Sequence, residues 1–595
     1  MLEDIIGALD LVFAWENFFW AFIGVLCGAI MGSIPGLTDT MAIVLLLPFT
    51  YYLGPIPGIA MLMGLSKGGN FGGSLPAILF NIPGTPQGIC TTFGGYPLAR
   101  QGKSGKAMQT ALYSSVLADA LSDLVLIFLA APVAAIALRI GPPEYSMVVL
   151  FSLVVISVAA TADPLRGLFS TALGLFLATV GTDPEFGTMR LTFGIVDLAD
   201  GFSLMPMVIG LLAFSEVLLQ AENYFRQRLA QRKSGEQEEK IIISSNPDDN
   251  RVTAKEFKTC LPTIGRSTFI GSIIGIVPGI GTTVGAYLSY LWARKKSKTP
   301  ELFGKGALEG IAASEAGNNA VNGPNLVPLV TLGIPGNLAA ALIMGGFMIK
   351  GLVPGPRFME DHASLLYALF AVLLISNFFT LLIGSVFIRY VRRLTNIPRS
   401  TLYACILVFS ILGAYVFNGN MFDVWVMFWF GIIGYLLNKM SLNLPTLIVA
   451  FFLGQLLEEK IRQTLLISGN DWTVFFTRPF ALFFIVLTIL TSYIYLSKIK
   501  KAAKNIYEHV FMKKHAFADG TEKLFDPDYD MSESFRRILE GKNIKPHDIT
   551  MLKHENLELN LMRKYNMVYE DAHSLAEQKY NYKKELDEFL ERIGG

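Results

Sequence analysis

Asn81-Ile82-Pro83-Gly84-Thr85 belongs to a set of four proline–glycine breaks in a chain made largely of long apolar runs. The other three breaks are Ile34-Pro35-Gly36-Leu37-Thr38, Val277-Pro278-Gly279-Ile280-Gly281 and Gly333-Ile334-Pro335-Gly336-Asn337. They form two pairs, one in each half of the apolar region, with a similar spacing within each pair. Interrupted helices at corresponding places in two halves are typical of the binding site of a secondary transporter.

The composition is that of an integral membrane protein. The chain has 595 residues, of which 52% are hydrophobic and only 16% charged, and its mean hydropathy is +0.47. Soluble domains carry about 25% charged residues. The apolar runs are continuous rather than alternating, which favours helices over strands. We therefore predict an all-α polytopic membrane protein with about 12 transmembrane helices.

Several classes of function are disfavoured by residue usage. Basic and acidic residues nearly balance at 49 and 48, so no nucleic-acid partner is indicated. Of the six histidines only His362 precedes residue 500, which argues against a serine–histidine or histidine–metal centre in the membrane body. The four cysteines are scattered and form no CxxC pair. The first residues are acidic, unlike the basic start of a secretory signal. We expect no enzyme activity and no cofactor.

Charge divides the chain into four parts. Residues 1–221 and 261–500 are predicted to be two membrane repeats, and residues 222–260 a basic cytoplasmic linker between them. Residues 501–595 are predicted to be a charged, helical, cytoplasmic tail. A basic cluster follows the second break in the first half but lies between the two breaks in the second half. If both clusters are cytoplasmic, the repeats are inverted.

The segment that leads into the Asn81 break predicts a re-entrant hairpin. Between Ser74 and Pro83 the apolar stretch is too short to span a bilayer. Glycines and prolines at both of its ends leave backbone groups without helical partners, which is tolerable only inside protein or beside a polar cavity. The hairpin tip would then offer bare amides and carbonyls to a ligand. The alternative is simple kinks, because glycine and proline are common in transmembrane helices.

Two further polar features admit alternatives. The stretch Ser314-Glu315-Ala316-Gly317-Asn318-Asn319 suits sodium ligation by oxygen atoms if it lies at membrane depth. It could instead be an extramembrane helix whose polar side chains touch water. Lys67 could neutralise an anionic substrate, or it could be a lysine at a helix end that extends its ammonium group to the membrane surface.

At these residues the chain resembles the TctA family, the large membrane subunit of the tripartite tricarboxylate transporters. The resemblance runs in order along residues 20–500. Its stretches are Gly32-Ser33-Ile34-Pro35-Gly36-Leu37-Thr38, Gly72 to Thr85, Gly94-Gly95-Tyr96-Pro97-Leu98, Gly102-Lys103-Ser104-Gly105-Lys106-Ala107, Gly141-Pro142-Pro143-Glu144-Tyr145, Val277-Pro278-Gly279-Ile280-Gly281, Glu315-Ala316-Gly317-Asn318-Asn319-Ala320, Leu332-Gly333-Ile334-Pro335-Gly336 and Pro354-Gly355-Pro356. Three departures are Gly94 in place of an acidic residue, Ser66-Lys67-Gly68-Gly69-Asn70 in place of an aromatic-rich stretch, and Ser314 in place of a proline.

The resemblance implies a symporter for organic carboxylates in a bacterial inner membrane, coupled to Na⁺ or H⁺. It also implies a periplasmic substrate-binding protein (TctC-like) and a small membrane subunit (TctB-like) as partners. An elevator-like movement is expected by similarity to other hairpin transporters. The alternatives are an uncoupled channel, a membrane scaffold, an importer of another small solute, and an enzyme acting on a lipid-linked substrate.

These expectations give a set of candidate site residues. For the carboxylate they are Ser74, Asn81, Pro83, Gly84, Thr85, Gly333, Pro335, Gly336 and Asn337, acting through amides and hydroxyls. For the coupling ion, Na⁺ being one possibility, they are Pro35, Gly36, Thr38, Pro278, Gly279, Gly281, Thr282, Asn318 and Asn319.

Overall fold

The fold is known from a computed structural model that describes most of the chain. The described residues are 11–34, 37–81, 84–159, 164–183, 187–222, 250–278, 281–394, 399–507, 514–516, 522–524, and parts of 550–558 and 573–577. Of the candidate site residues, Pro35, Gly36, Pro83 and Gly279 lie outside these ranges. So does most of the predicted linker, residues 223–249.

Helices dominate the described residues. In the first part of the chain they are α1 (Trp15–Gly32), α2 (Asp39–Leu46), α3 (Pro55–Phe80), α4 (Ile89–Arg100), α5 (Ser104–Ala137), α6 (Pro142–Ala159), α7 (Pro164–Ala178) and α8 (Leu204–Glu222, with a π-helical stretch at Ile209–Phe214). In the second part they are α9 (Ala254–Ile276), α10 (Gly281–Lys296), α11 (Leu308–Asn319), α12 (Asn322–Leu332), α13 (Leu338–Ile349), α14 (Phe358–Asp361), α15 (Ala363–Leu394), α16 (Arg399–Asn418), α17 (Met421–Lys439), α18 (Leu444–Ile467), α19 (Val474–Thr477) and α20 (Pro479–Tyr507).

Strands and 3₁₀ turns are short. Strands β1 (Gly181–Thr182) and β2 (Met189–Arg190) pair antiparallel, as do β3 (Lys514–Ala516) and β4 (Glu522–Leu524). The 3₁₀ turns span Pro48–Tyr52, Pro86–Gly88, Val196–Leu198 and Pro300–Leu302.

The all-helical membrane class predicted from composition is confirmed. Within the described residues, α1, α5, α8, α15 and α17 are each long and apolar enough to cross a membrane. Shorter apolar helices occur at Pro142–Val158, Leu165–Ala178, Leu338–Ile349, Ile406–Val416 and Pro479–Tyr493. The total of about 12 crossings and the inverted repeats stay predictions.

Contacts divide the chain into two compact units, Met1–Thr488 and Ile489–Gly595. The first contains every predicted site residue, and its largest buried apolar cluster is built from α2, α3, α8, α12, α13 and α15. The second contains β3 and β4 and the described residues near the C-terminus. The predicted boundaries at 221, 260 and 500 stay predictions.

Glycines let α1 and α3 approach until their backbones touch. A Cβ atom at Gly28 would lie 2.3 Å from the Leu65 carbonyl oxygen, and one at Gly68 would lie 2.1 Å from the Val25 carbonyl oxygen. Small residues spaced four apart give this packing in membrane helices. Residues next to Gly68 are therefore held against α1 and buried in the protein.

The predicted re-entrant arm between Ser74 and Pro83 differs from the structure in one respect. The helix α3 continues without interruption through Gly72, Ser74 and Pro76 as far as Phe80. Gly72 and Gly73 instead allow close packing. A Cβ atom at Gly72 would lie 2.6 Å from an Ala29 atom, and one at Gly73 would lie 2.6 Å from Thr85 atoms. The helix ends at Asn81, whose φ of 56° is left-handed.

The corresponding break in the second half also ends a helix with a left-handed residue. Gly333 has a φ of 61° and its amide donates to the Leu329 carbonyl, while the Ile334 amide donates to the Pro328 carbonyl. A glycine in this conformation is a common helix stop. The chain then extends to Asn337, which begins α13.

Candidate functional site

A cavity of about 660 Å³ is where residues from three of the breaks meet a residue that directly follows the fourth. From the breaks it is lined by Thr38, Gly84, Thr85 and Asn337, and Thr282 follows the break that ends at Gly281. Polar neighbours in its wall are Asp39, Thr40, Ser66, Asn70, Gln87, Ser215, Glu216, Thr283, Asn322, Asn438 and Asn443. No lysine or arginine is among its lining residues in the described part of the chain. The cavity therefore combines apolar and polar lining residues and has no lysine or arginine among those described.

Helix N-termini supply positive electrostatic potential to this cavity instead. Thr38 is the N-cap residue of α2, and its hydroxyl accepts a hydrogen bond of 3.2 Å from the Met41 amide. Asn337 is the N-cap residue of α13, and its Oδ1 accepts a hydrogen bond of 2.8 Å from the Ala340 amide. Thr282 lies in the first turn of α10. Amides at helix N-termini favour anions, so the three helix starts make a carboxylate a suitable occupant.

Gly84 and Thr85, which follow the break after α3, are held against that helix. The Gly84 amide donates to the Gly73 carbonyl at 3.2 Å. Thr85 is buried with its hydroxyl lacking a hydrogen-bond partner in the described structure. An unpaired buried hydroxyl costs free energy unless a ligand or water completes it. Thr85 lines the cavity, and its unpaired hydroxyl lies against Gly73 of α3.

A chain of side-chain amides leads inward from the cavity. Gln87 Nε2 donates to Asn70 Oδ1 at 2.5 Å, and Asn70 Nδ2 donates to Asn322 Oδ1 at 3.1 Å. The Asn322 side chain in turn faces Asp119 on α5. The chain links α3, α12 and the turn after the Asn81 break to one buried carboxylate.

Lys67 is the centre of a buried charged cluster at the inner end of that chain. Its Nζ atom donates to Asp119 Oδ2 at 2.8 Å, to Asp123 Oδ2 at 2.8 Å and to Asn377 Oδ1 at 3.0 Å. Asn377 Nδ2 also donates to Asp123 Oδ2 at 2.6 Å. Lys67 is 2% exposed and both aspartates are at most 3% exposed. The proposed extension of Lys67 to the membrane surface is therefore wrong, because its ammonium group has carboxylate partners inside the protein.

A second, small cavity lies beside this cluster. It has a volume of about 20 Å³ and is lined by Lys67, Asp123, Asn322, Asn325 and Asn337, among others. Room for one water molecule needs about 10–15 Å³ on this measure. Since Asn322 and Asn337 also line the larger cavity, the two spaces share a wall.

The polar stretch around Glu315 forms a separate site inside the protein. Glu315 is 1% exposed, accepts a hydrogen bond from Thr91, and accepts another from Ser115 at 3.0 Å. Asn318 and Asn319 follow it on α11, both buried, and Asn319 Nδ2 donates to the Glu315 carbonyl at 2.9 Å. The alternative of a water-exposed helix is wrong. None of these residues lines the large cavity.

The remaining candidate residues lie near the breaks but outside the cavity lining. Ser74 is buried in α3 and donates to the Phe71 carbonyl at 2.7 Å, while Asn81 is exposed. Pro335 and Gly336 are buried and Pro278 and Gly281 half-buried. These residues shape the turns that carry Thr85, Thr282 and Asn337. Their assignment to substrate or ion stays a prediction.

Sequence reasoning missed Asp119, Asp123, Gln87 and Asn377. One signal was present: Asp119 and Asp123 stand four residues apart in an apolar run, hence on one face of a helix. Carboxylates at membrane depth are rare and mark functional positions.

The long apolar helices define a multi-pass membrane protein. The pattern of the Tripartite tricarboxylate transporter TctA family matches residues 18–449, and the chain belongs to that family. Two relatives are from Agrobacterium vitis. One, "Uncharacterized 52.8 kDa protein in TAR-I ttuC' 3'region", is 35% identical over 81% of this chain and 94% of its own length. The other, "Uncharacterized protein in TAR-II ttuC' 3'region", is 37% identical over 36% of this chain and 87% of its own length. No solved structure matches the chain.

Proposed function

We propose that this chain is the large permease subunit of a binding-protein-dependent secondary transporter that imports organic carboxylates. The observation that carries the proposal is the 660 Å³ cavity at which residues of three breaks meet Thr282, which directly follows the fourth. Its substrate class is a tri- or dicarboxylate, its membrane the bacterial inner membrane, and its coupling ion Na⁺ or H⁺. A periplasmic binding protein and a small membrane subunit are its partners, as family membership suggests.

The chemistry of the cavity supports a carboxylate. Three helix N-termini, the Thr85 hydroxyl and the Asn337 amide group can replace water around an anion. The volume is within the range of about 300–1,000 Å³ that holds small ligands.

Coupling and movement complete the proposal. Thr38 and Thr282 offer hydroxyl oxygens to an ion beside the substrate, and Asp39 stands next to Thr38 in the same wall. In an elevator-like cycle, the part of the protein that carries the breaks moves against a scaffold of longer helices. Alternating access by movement of one group of helices against another is common in secondary transporters.

The test is uptake of labelled citrate and four-carbon dicarboxylates into proteoliposomes. The vesicles contain this chain and the small membrane subunit, with the binding protein outside and an imposed Na⁺ or H⁺ gradient. Accumulation that needs both the gradient and the binding protein supports the proposal. Flux that ignores the gradient indicates a channel. No flux of any acid with folded protein indicates a scaffold or another substrate.

An enzyme is the less supported class. Acid–base or nucleophilic catalysis needs reactive groups facing a substrate. The cavity wall offers hydroxyls, amides and the carboxylates of Asp39 and Glu216. Conversion of a supplied carboxylate by the reconstituted chain, followed by mass spectrometry, would overturn the inference that it only transports.

A further inference from the structure

We propose that the Lys67–Asp119–Asp123 cluster is the proton-carrying site of this transporter. The inference rests on the proposed function and specifies its coupling ion. The first observation is the charge of the cluster, in which one ammonium group faces two carboxylates and all three groups are almost fully buried. No other lysine or arginine pairs with either aspartate among the described residues. Fully ionised, the cluster would carry one uncompensated negative charge in a region of low dielectric constant.

A buried uncompensated charge is costly, and a proton or a cation removes the cost. A sodium ion needs several oxygen ligands around it. Here the Lys67 ammonium lies 2.8 Å from both carboxylates and 3.0 Å from the Asn377 oxygen, at the position such an ion would take. A proton on one carboxylate is the remaining way to balance the cluster.

Asp119 is the better proton carrier of the two. Asp123 Oδ2 accepts hydrogen bonds from Lys67 and from Asn377, which stabilise its ionised form. Asp119 Oδ2 accepts one hydrogen bond, from Lys67, and the Oδ1 atoms of both aspartates have no hydrogen-bond partner in the described structure. Asp119 also faces Asn322, a residue in the wall of the large cavity. The aspartate that accepts fewer hydrogen bonds is therefore the one beside this amide.

Two other buried carboxylates face this region from neighbouring helices. Asp39 on α2 packs against Gly69, two residues after Lys67. Glu315 on α11 is bonded to Ser115, one turn before Asp119. Neither residue brings a positive charge to the cluster.

The proposed step is the transfer of one proton together with the substrate. An occupied carrier holds substrate and a proton on Asp119 Oδ1. On the cytoplasmic side both leave, and Lys67 then pairs with two ionised aspartates until the next proton arrives. The negative charge of the unprotonated cluster disfavours binding of an anionic substrate, so substrate binds and crosses together with a proton. The empty, unprotonated carrier then returns and takes up the next proton outside, which couples the proton gradient to transport.

The experiment compares Asp119→Asn with wild type in the proteoliposomes described above. Exchange of internal for external substrate needs no net proton movement, whereas accumulation driven by a pH gradient does. We expect Asp119→Asn to keep exchange and to lose pH-driven accumulation by at least about tenfold, equivalent to about 1.4 kcal/mol. Asp119→Glu should restore accumulation. Asp200→Asn, at an exposed position, is the matched control.

Each result separates the possibilities. Wild-type accumulation driven only by Na⁺, or Asp119→Asn accumulation as strong as wild type, overturns the proton site but leaves the transporter intact. If Asp119→Asn loses exchange as well, the Asp119→Glu variant distinguishes the two explanations. Recovery of accumulation in Asp119→Glu supports the proton site. A folded Asp119→Glu protein without recovery overturns it. Absence of both exchange and accumulation in wild type overturns the proposed function itself.

An independent observation in the C-terminal unit points to a metal site. His554 Nε2, Glu558 Oε2 and His573 Nδ1 form a triangle with sides of 3.2, 2.9 and 3.6 Å. The described residues from 550 to 558 are helical, which places His554 and Glu558 on one face. His554 and Glu558 are buried, and His573 is partly exposed.

We infer that this triangle binds a divalent transition metal, Zn²⁺ being the best match. Ligand atoms about 2.0–2.2 Å from a tetrahedral zinc ion are separated by distances like these, and two histidines with one carboxylate form a known zinc ligand set. Glu555 is also buried and interacts electrostatically with Glu558 and His554. A divalent cation would compensate these two carboxylates, which otherwise repel each other.

The test uses the full chain purified in detergent, with Co²⁺ as a spectroscopic probe and Zn²⁺ as competitor. We expect one equivalent of Co²⁺ to give visible absorption bands of a tetrahedral site, displaced by Zn²⁺. His554→Ala and His573→Ala should each remove the bands, while His515→Ala should not. Folded wild-type protein without bands, or bands that survive both substitutions, would overturn the assignment.

Discussion

Lys67 and Asp123 lie 2.8 Å apart inside the protein although 56 positions separate them in the chain. The contact joins α3, the helix that leads into the first break pair, to α5, a long apolar helix. It can form because α3 is packed on α1 through glycines, which keeps Lys67 away from water. The charged cluster and the close helix packing are thus parts of one arrangement.

Removing the ammonium group should destabilise the protein strongly. Lys67→Met keeps much of the side-chain volume but leaves Asp119 and Asp123 facing each other without a cation. Breaking a buried ion pair costs about 3–5 kcal/mol. We expect a clear fall in the unfolding temperature of the purified protein in detergent, followed by fluorescence. Lys255→Met, at an exposed position, should leave it unchanged. An unchanged unfolding temperature for Lys67→Met would contradict the burial of an ion pair.

The contact between α1 and α3 should tolerate no side chain at Gly68. In Gly68→Ala the new methyl group would lie 2.1 Å from the Val25 carbonyl oxygen. Overpacking costs about 1–3 kcal/mol and more where backbone must move. We expect lower thermal stability and loss of uptake, since Lys67 is the adjacent residue.

Gly265→Ala provides the matched control for this change. Gly265 lies in α9, and a Cβ atom there would have no heavy atom within 4 Å. Helical alanine is favoured over glycine by about 0.5–1 kcal/mol. The control should therefore be neutral or slightly stabilising. Equal effects of the two substitutions would mean that α1 and α3 are not in backbone contact.

The sequence could predict where helices stop, but not which charges pair. Asn81 and Gly333 are residues that tolerate a left-handed backbone, and each belongs to a proline–glycine motif that is recognisable in the sequence. The membrane class and the family were predictable for the same reason, because local composition and ordered motifs carry them. The predicted interruption at Gly72 and Ser74 was wrong, because in a sequence the glycines that allow close helix packing cannot be told from glycines that break a helix.

Long-range pairing explains what could not be predicted. Lys67 and Asn377 are 310 positions apart, and no local pattern connects them. Glu315 could be either a buried or a water-exposed residue until Thr91 and Ser115 were placed beside it. The meeting of Thr38, Thr85, Thr282 and Asn337 at one cavity follows from tertiary packing alone.

Asn337→Ala should weaken carboxylate uptake beyond its effect on stability. The change removes the cap of α13, which costs about 0.5–2 kcal/mol, and also removes a polar group from the cavity wall. We expect a several-fold rise in the KM of uptake with little change in expression. Asn420→Ala removes a similar cap from α17 but lines no part of the cavity, and it should leave the KM unaltered. Asn81 is outside the lining, so Asn81→Ala should leave the KM unaltered, and an unaltered KM for Asn337→Ala would refute its assignment to the substrate.

Glu256, at the start of α9, should make the stability of that helix depend on pH. Burial opposes its ionised form, but hydrogen bonds from Lys106 and from Thr253 outweigh that effect and lower the pKa to about 2 from 4.5. A carboxyl group with a lowered pKa in the folded state stabilises the protein above its unfolded pKa. That contribution is lost as the pH falls from about 4.5 towards 2. Since Glu256 is largely solvated, we expect a small effect that weakens with added salt. Glu256→Gln should lower the unfolding temperature slightly at pH 7 and have no effect near pH 2. A difference that persists unchanged at pH 2 would show that the effect of the substitution does not come from the carboxylate charge.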